Sequence, residues 1–374
     1  MEHKEILAVI PARSGSKSVK DKNIRLIDGK PMLAYSIEHA KASKYITRTI
    51  VSTDSEIYAD IAREYGAEVP FMRPAEYATD AALDYDVFYH ALTYLEQSEG
   101  YMPDLVVQLR PTYPTRKVED IDRMIEQMLM DETIDSMRCI APATEIAYKM
   151  WNCVPIQAAA QPMGETASQT IDDSRENVYN VQDTKLLPDC AVITPIIQDI
   201  PECYNMPRQQ LPQVYYQNAC IDIIRTNVIT IQHSMSGKKI VGYQMKENFD
   251  IDTEEEFKRA EEYLKIKNGN QRFVFDIDGV IAGFRAGLDY DSAPPMEEMV
   301  RIINRLYDLG NTIVLFTARG YVTGIDWRST TEAQMQRWGL KYHELLFGKP
   351  NADYYIDDKM LDMKFLYHYF GDQI

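Results

Sequence analysis

Apolar residues come in short runs separated by amphipathic stretches through the first part of the chain. Residues 6–10 (ILAVI) are uninterrupted and predict a strand buried on both faces, and residues 48–52 (RTIVS) and 105–109 (LVVQL) predict two more. Residues 32–43 place Leu33, Ile37 and Ala40 on one helical side, and further helices are expected at about 56–65 and 118–130. Strands alternating with helices predict a mostly parallel sheet covered on both faces. Between 152 and 212 the periodicity lapses and prolines recur, which reads as a long excursion from the core, an arm. A strand resumes at 219–224, and a Glu/Lys-rich helix is expected at 253–264. The polar stretch 265–271 (KIKNGNQ) contains Asn-Gly and predicts a linker, because the strand-turn pattern restarts directly after it as RFVFDIDGVI. Two domains are therefore expected, 1–265 with its arm and 271–374.

Length agrees, since 374 residues at roughly 150 per domain suit two domains. With 45% hydrophobic and 26% charged residues the chain can bury sizeable cores. A net charge of −17 argues against non-specific nucleic-acid binding, which needs clustered Lys and Arg, but leaves room for a nucleotide in a local basic pocket. The five cysteines, Cys139, Cys153, Cys190, Cys203 and Cys220, are odd in number and form no CxxC pair, so reduced thiols are expected. The apolar run at 6–10 is too short for a secretion signal or a membrane span, so a cytoplasmic protein without membrane contact is expected.

The C-terminal chemistry gathers at strand ends. Strand 273–275 runs into Asp276-Ile277-Asp278-Gly279, residues 311–316 (NTIVLF) form a strand ending at Thr317, and 354–356 form another ending at Asp357 and Asp358, with Lys349 shortly before it. Ligands of open parallel sheets bind beyond those ends. Two close carboxylates share a proton or hold a cation. Carboxylates that bind Mg²⁺ or attack phosphorus, with a hydroxyl and an ammonium to hold phosphate oxygens, suit phosphoryl chemistry. A lone DxD is more often a turn or cap. All four elements in order resemble the haloacid dehalogenase superfamily, closest to small capsule-biosynthesis phosphatases, over essentially all of 271–374. The resemblance implies a Rossmann-like domain with Asp276 as nucleophile, Asp278 as general acid/base, and Thr317 and Lys349 on the phosphate. It also implies Mg²⁺ held by Asp276, the Asp278 carbonyl and Asp357, supported by Asp358. Spacings of 41 positions from Asp276 to Thr317 and 32 from Thr317 to Lys349 leave no room for a large cap, so a minimal cap and an open site are expected.

The first strand leads into Arg13-Ser14-Gly15-Ser16-Lys17, then Lys20, Lys22 and Asn23, a dense cationic loop in an acidic chain. Backbone N–H groups of such a turn can nest an anion, although neither GxxxxGK[ST] nor GxGxxG is present. By itself the loop also reads as a solvated basic turn. The wider text, IPARSGSKSVKDKNIRLIDGKPMLAYSIEHA, VSTDS, RPTYPTR, PRQQLP, YQNACIDI and FDIDTEEEF, resembles the CMP-sialic acid synthetase group of cytidylyltransferases over about residues 4–265. That resemblance implies a Rossmann-like nucleotidyltransferase domain with a protruding dimerisation arm, hence a homodimer or higher homo-oligomer. It implies that Arg13, Ser16, Lys17, Lys22, Asn23 and Arg73 hold CTP, with Arg13 and Lys17 assisting catalysis, and that Asp250 and Asp252 carry Mg²⁺. Arg208, Gln209 and Asn218 would face the sugar or the neighbouring subunit. Asp250 and Asp252 can equally cap the following helix. Two departures bear on the sugar: Arg110 replaces a glutamine thought to touch it, and Asp222 stands where an aromatic is frequent. A cation at Arg110, unless it pairs with Asp222 or Asp104, would accept an extra anionic group.

The sequence thus predicts a bifunctional enzyme of surface-glycan assembly. One half activates an acidic nine-carbon keto sugar as its CMP conjugate, and the other hydrolyses a phosphate ester. Two alternatives stay open: a sugar or polyol phosphate as the nucleophile, giving a CDP conjugate, and a C-terminal domain that serves only oligomerisation.

Overall fold

Five apolar residues in succession leave a strand no face for water, and Ile6–Ile10 accordingly forms an interior strand of a covered sheet. In the computed structural model the described residues are 4–16, 19–143, 145–154, 192–245, 250–283, 290–350, 352 and 359–371. β1 (Ile6–Pro11) leads to a short hairpin of β2 (Leu26–Ile27) and β3 (Lys30–Pro31). α1 (Met32–Ala42), β4 (Arg48–Ser52), α2 (Glu56–Glu64), α3 (Asp84–Glu99), β5 (Leu105–Leu109), α4 (Val118–Met130) and β6 (Ser136–Pro142) follow. β7 (Trp151–Val154) pairs antiparallel with β8 (Val192–Pro195). β9 (Tyr215–Arg225), α5 (Thr226–Thr230), β10 (Ile240–Gln244) and α6 (Glu254–Lys267) complete the first part. β11 (Arg272–Phe275), α7 (Glu297–Asp308), β12 (Thr312–Thr317), α8 (Arg328–Arg337), β13 (Glu344–Phe347) and α9 (Met363–Phe370) form the second.

The larger sheet runs β10-β6-β9-β5-β1-β4, with β1 parallel to β4 and β5 and β5 antiparallel to β9. Side-chain alternation divides the core. Ile6, Ala8 and Ile10 pack with Leu33 and Ile37 of α1 and Met124 of α4, while Leu7 and Val9 pack with Phe88 and Leu92 of α3. The smaller sheet, β11-β12-β13, is parallel throughout. α3, β6, β10, α7, β13 and α9 are elements that the hydrophobic pattern alone did not yield. The strand expected at 354–356 lies outside the described residues.

The chain divides into two compact units, Met1–Cys139 with Asn218–Ile374, and Ile140–Gln217. The second contains the stretch 152–212 that was expected to form an arm. It is not featureless: β7 and β8 form a ribbon, and Trp151 packs against Tyr204 with ring centroids 4.5 Å apart. Cys139, Cys203 and Cys220 are free and buried. Among the described residues no helix is long and apolar enough to cross a membrane.

The expected linker is corrected. α6 runs through Lys267, and its Ile266 is a buried member of the second core, while Phe257, Ala260 and Leu264 pack on Ile27, Met32 and Tyr35 of the first. Asn311 Nδ2 donates to the Ile266 carbonyl at 3.0 Å, and Gly269, at φ +79°, lies against the Leu309 carbonyl where any Cβ would collide. One helix therefore serves both cores.

His39 on α1 gives a measurable consequence. Burial, with the charges of Arg116, Lys267 and Lys30 adding to it, pushes its pKa down to about 3 from 6.5. The unfolded chain then binds more protons between those values, so this contribution is intact above pH 6.5 and is lost as pH falls toward 3. Chemical denaturation of wild type and His39→Gln across this range should show a shallower acid decline for the variant; parallel curves would refute the assignment.

Candidate functional site

At the carboxyl ends of β1, β4 and β5 the chain builds a cavity of about 310 Å³ whose walls include Arg13, Lys22, Asn23, Arg73, Arg110 and Asp250. The cationic loop is anchored from below. Asp54, just past β4, accepts from the Ser14 backbone N–H and from Ser14 Oγ, both at 2.7 Å. Asn23 Nδ2 donates to the Arg13 carbonyl at 3.0 Å, and Arg13 pairs with Asp80 at 2.6 Å. Ser16 is half-buried in the same loop and does not line the cavity. Lys17 lies outside the described residues.

The Asp250/Asp252 pair resolves one ambiguity. Capping of α6 falls to Thr253, whose hydroxyl accepts from the Glu256 N–H while the Glu256 side chain reaches back, a complete capping box. Neither aspartate is the cap. Lys22 Nζ sits 2.8 Å from Asp252 Oδ1, and Arg25, stacked over Phe257, bonds Glu254 at 2.5 Å, so the cationic loop and the start of α6 are tied together. Burial pushes the Asp250 carboxyl up, the Asp252 charge adds to this, and hydrogen bonds from Tyr113 and Thr112 oppose it. Two adjacent carboxylates, one half-buried, are a hard oxygen donor set that suits Mg²⁺, with substrate phosphates and water completing the shell. Among the described residues no group of three or more His, Cys, Asp or Glu is placed to hold a metal.

Several expected contacts are redirected. Arg73 is buried and spends its guanidinium on Ser52, Nε to Oγ at 3.0 Å and Nη2 to the carbonyl at 2.5 Å; burial lowers its pKa to about 10. It frames the cavity rather than reaching into it with a free fork. Arg110 pairs with neither Asp222 nor Asp104 but with Asp84, the first residue of α3, at 2.5 Å, and Gln108 Nε2 donates to the same Oδ2 at 3.1 Å. Asp222 is buried against Arg138 at 2.8 Å and does not itself line the cavity. Asn218 is likewise buried, with its Oδ1 accepting from the Cys220 N–H and its carbonyl accepting from Tyr113. It supports the floor and does not line the cavity. Arg208 and Gln209 are exposed on a 3₁₀ turn in the other unit. Asp54, Asp80 and Asp84 were missed because each is an ordinary surface-type aspartate until the fold brings it to a strand end.

In the second sheet three strand ends lie side by side, with Lys349 placed by β13, which it follows, and not by the strand expected at 354–356, which lies outside the described residues. Asp276 follows β11, Thr317 closes β12, and Lys349 follows β13 with its N–H donating to the Thr317 carbonyl at 3.2 Å. Lys349 Nζ lies 2.5 Å from Asp276 Oδ2. Asp278 is gripped by Arg319, two positions after Thr317, which the sequence reading did not single out. Asp357 and Asp358 lie outside the described residues.

Residues 7–277 match the family model described as cytidylyltransferase. The chain is 33% identical over 266 residues to a post-translational flagellin modification protein B of Campylobacter coli, covering 71% of this chain and 97% of that protein. It is 31% identical over 266 residues to a CMP-N,N'-diacetyllegionaminic acid synthase of Campylobacter jejuni, with the same shares of 71% and 97%. It is 39% identical over 140 residues to an N-acylneuraminate cytidylyltransferase of Escherichia coli, covering 37% of this chain and only 31% of that relative. The family match ends at residue 277, so Asp278, Thr317, Arg319 and Lys349 lie beyond it.

Proposed function

The chain belongs to the cytidylyltransferase family, and from that premise we propose that it transfers CMP from CTP to a sialic acid-like nonulosonic acid and that its C-terminal part is a Mg²⁺-dependent phosphatase. The observation that carries the first part is the cavity beyond β1, where the cations Arg13, Lys22 and Arg110 meet the carboxylates Asp250 and Asp252. The names of the relatives, an N-acylneuraminate cytidylyltransferase and a CMP-N,N'-diacetyllegionaminic acid synthase, supply the sugar class. A sugar hydroxyl oxygen bonds the α-phosphorus and pyrophosphate leaves. Arg13 and Lys22 meet the negative charge that builds there, and Asn23 holds the loop in place. Mg²⁺, when bound at Asp250 and Asp252, screens the phosphates and orients the leaving group. By the family resemblance Ser16 and Lys17 would also contact CTP.

Arg110 binds the acid's carboxylate. Its guanidinium is shared with Asp84 in a half-exposed pair at 2.5 Å, so the substrate's anionic group would compete with that partner. Arg110→Gln is expected to lower kcat/KM for the keto-acid sugar by roughly 10- to 150-fold, the worth of one charge-assisted hydrogen bond, with KM for CTP little changed. An unchanged kcat/KM would leave Arg110 only the task of ordering Asp84.

The phosphatase part rests on the Asp276–Lys349 pair at the mouth of a parallel sheet. A pure oligomerisation module needs neither that pair nor Thr317 beside it. The exposed Ile193 and Ile196 of the arm support dimerisation through that unit, and a monomeric mass at micromolar concentration would refute it. The deciding experiment supplies CTP, Mg²⁺ and a panel of nonulosonic acids and sugar phosphates, and follows pyrophosphate and inorganic phosphate separately. Pyrophosphate release only with sugar phosphates would overturn the CMP reading; no phosphate from any ester would overturn the phosphatase.

A further inference from the structure

We propose that Arg319 is a positioning residue that presents Asp278 as the proton acceptor when the phosphorylated Asp276 is hydrolysed. The proposal rests on the phosphatase reading and adds a residue and a half-reaction to it. Arg319 is 3% exposed. Its Nε lies 2.9 Å from Asp278 Oδ2 and its Nη2 2.7 Å from Oδ1, a fork-to-fork contact. The other arm is spoken for as well: Nη1 donates to Gln334 Oε1 at 2.6 Å and to Thr331 Oγ1 at 3.1 Å. Thr331 and Gln334 are both fully buried on α8, a helix whose inward face would ordinarily be aliphatic. Thr331 is fixed in turn by donating to the Trp327 carbonyl at 2.8 Å, and Gln334 by donating to the Tyr290 carbonyl. The Tyr290 ring covers the guanidinium at 4.6 Å. The Arg319 N–H also donates to Thr317 Oγ1 at 3.2 Å, so the residue touches two of the expected site groups.

A buried ion pair of this kind adds little stability over an apolar filling of equal shape, so its geometry needs another reason. Arginine has donors only. The fork therefore holds both Asp278 oxygens in one orientation beside Asp276. In the first half-reaction an Asp276 oxygen bonds phosphorus as the ester P–O bond breaks. A phenolate leaving group departs without needing a proton. In the second, water bonds phosphorus, its proton passes to Asp278, and the P–O bond to Asp276 breaks, releasing phosphate and restoring the carboxylate. Loss of Arg319 should thus slow the second step and spare the first.

The test uses the full-length protein with Mg²⁺ and p-nitrophenyl phosphate. Arg319→Gln is expected to lower kcat by on the order of 10²-fold while kcat/KM changes by less than about threefold, with a burst of nitrophenolate near one equivalent per chain. Gln334→Met, which leaves the Arg319–Asp278 pair in place but removes part of its frame, should show the same split to a smaller degree, and cytidylyl transfer by both variants reports an intact fold. Equal falls in kcat and kcat/KM without a burst, in a variant still active in cytidylyl transfer, would overturn the proposal and leave the phosphatase reading standing. A wild-type protein that turns over no ester would overturn both.

Discussion

Asp276→Asn is expected to cut phosphate-ester hydrolysis by on the order of 10⁴-fold or more, while cytidylyl transfer by the same protein stays within about twofold of wild type. The nucleophile is the one group in such a site whose loss binding and electrostatics cannot replace. Asp276 follows β11 in the second sheet, and its described partners are Lys349 and the Ile277 N–H, none of which lines the cavity beyond β1. An amide at this position keeps the shape and the Ile277 contact, so the fold should hold. The measurement is phosphate and pyrophosphate release from one preparation. The shared helix α6 makes the outcome informative, because it ties Ile251, Phe257 and Leu264 of one core to Ile266 of the other. Equal loss of both activities in a folded variant would mean that the two sites act as one unit.

Lys22→Ala is expected to lower kcat for cytidylyl transfer by on the order of 10²- to 10³-fold, the range seen when a preorganised donor to developing charge is removed. Its ammonium is well buried for a lysine, with 12% of the side chain exposed, and stands 2.8 Å from Asp252 at the cavity wall. Removing it takes a competing cation away from Asp252, so the variant should need no more Mg²⁺ than wild type to reach its lowered half-maximal rate. Lys22→Arg should recover part of the rate, since charge persists while the contact geometry changes. A loss below about threefold would make Lys22 a partner of Asp252 alone and shift the burden to Lys17 and Arg13.

Local sequence determined the strands built from continuous apolar runs and where their chemistry falls. Continuous apolar runs such as Ile6–Ile10 have one stable environment, between two layers, and the polar residue that ends each run must emerge at the sheet's edge. That logic placed Arg13, Asp276 and Thr317 at strand ends without any coordinates, whereas Lys349 follows β13, a strand the pattern did not yield. It also named Asp250 and Asp252, although which residue caps α6 was settled only by the Thr253–Glu256 box. Charge pairing is another matter, because a guanidinium accepts any carboxylate that packing brings within reach. Arg110 found Asp84 rather than Asp222 or Asp104, Asp222 was claimed by Arg138, and Arg319 reached Asp278 across 41 positions. The linker failed for a related reason. A polar Asn-Gly stretch marks a turn, but only the packing of Ile266 under Asn311 decides whether that turn joins two free bodies or lies inside one. Short-range periodicity fixes each element and its exposed end, whereas the partner of each buried charge is chosen by the desolvation cost of leaving it alone, and that cost exists only in the assembled fold.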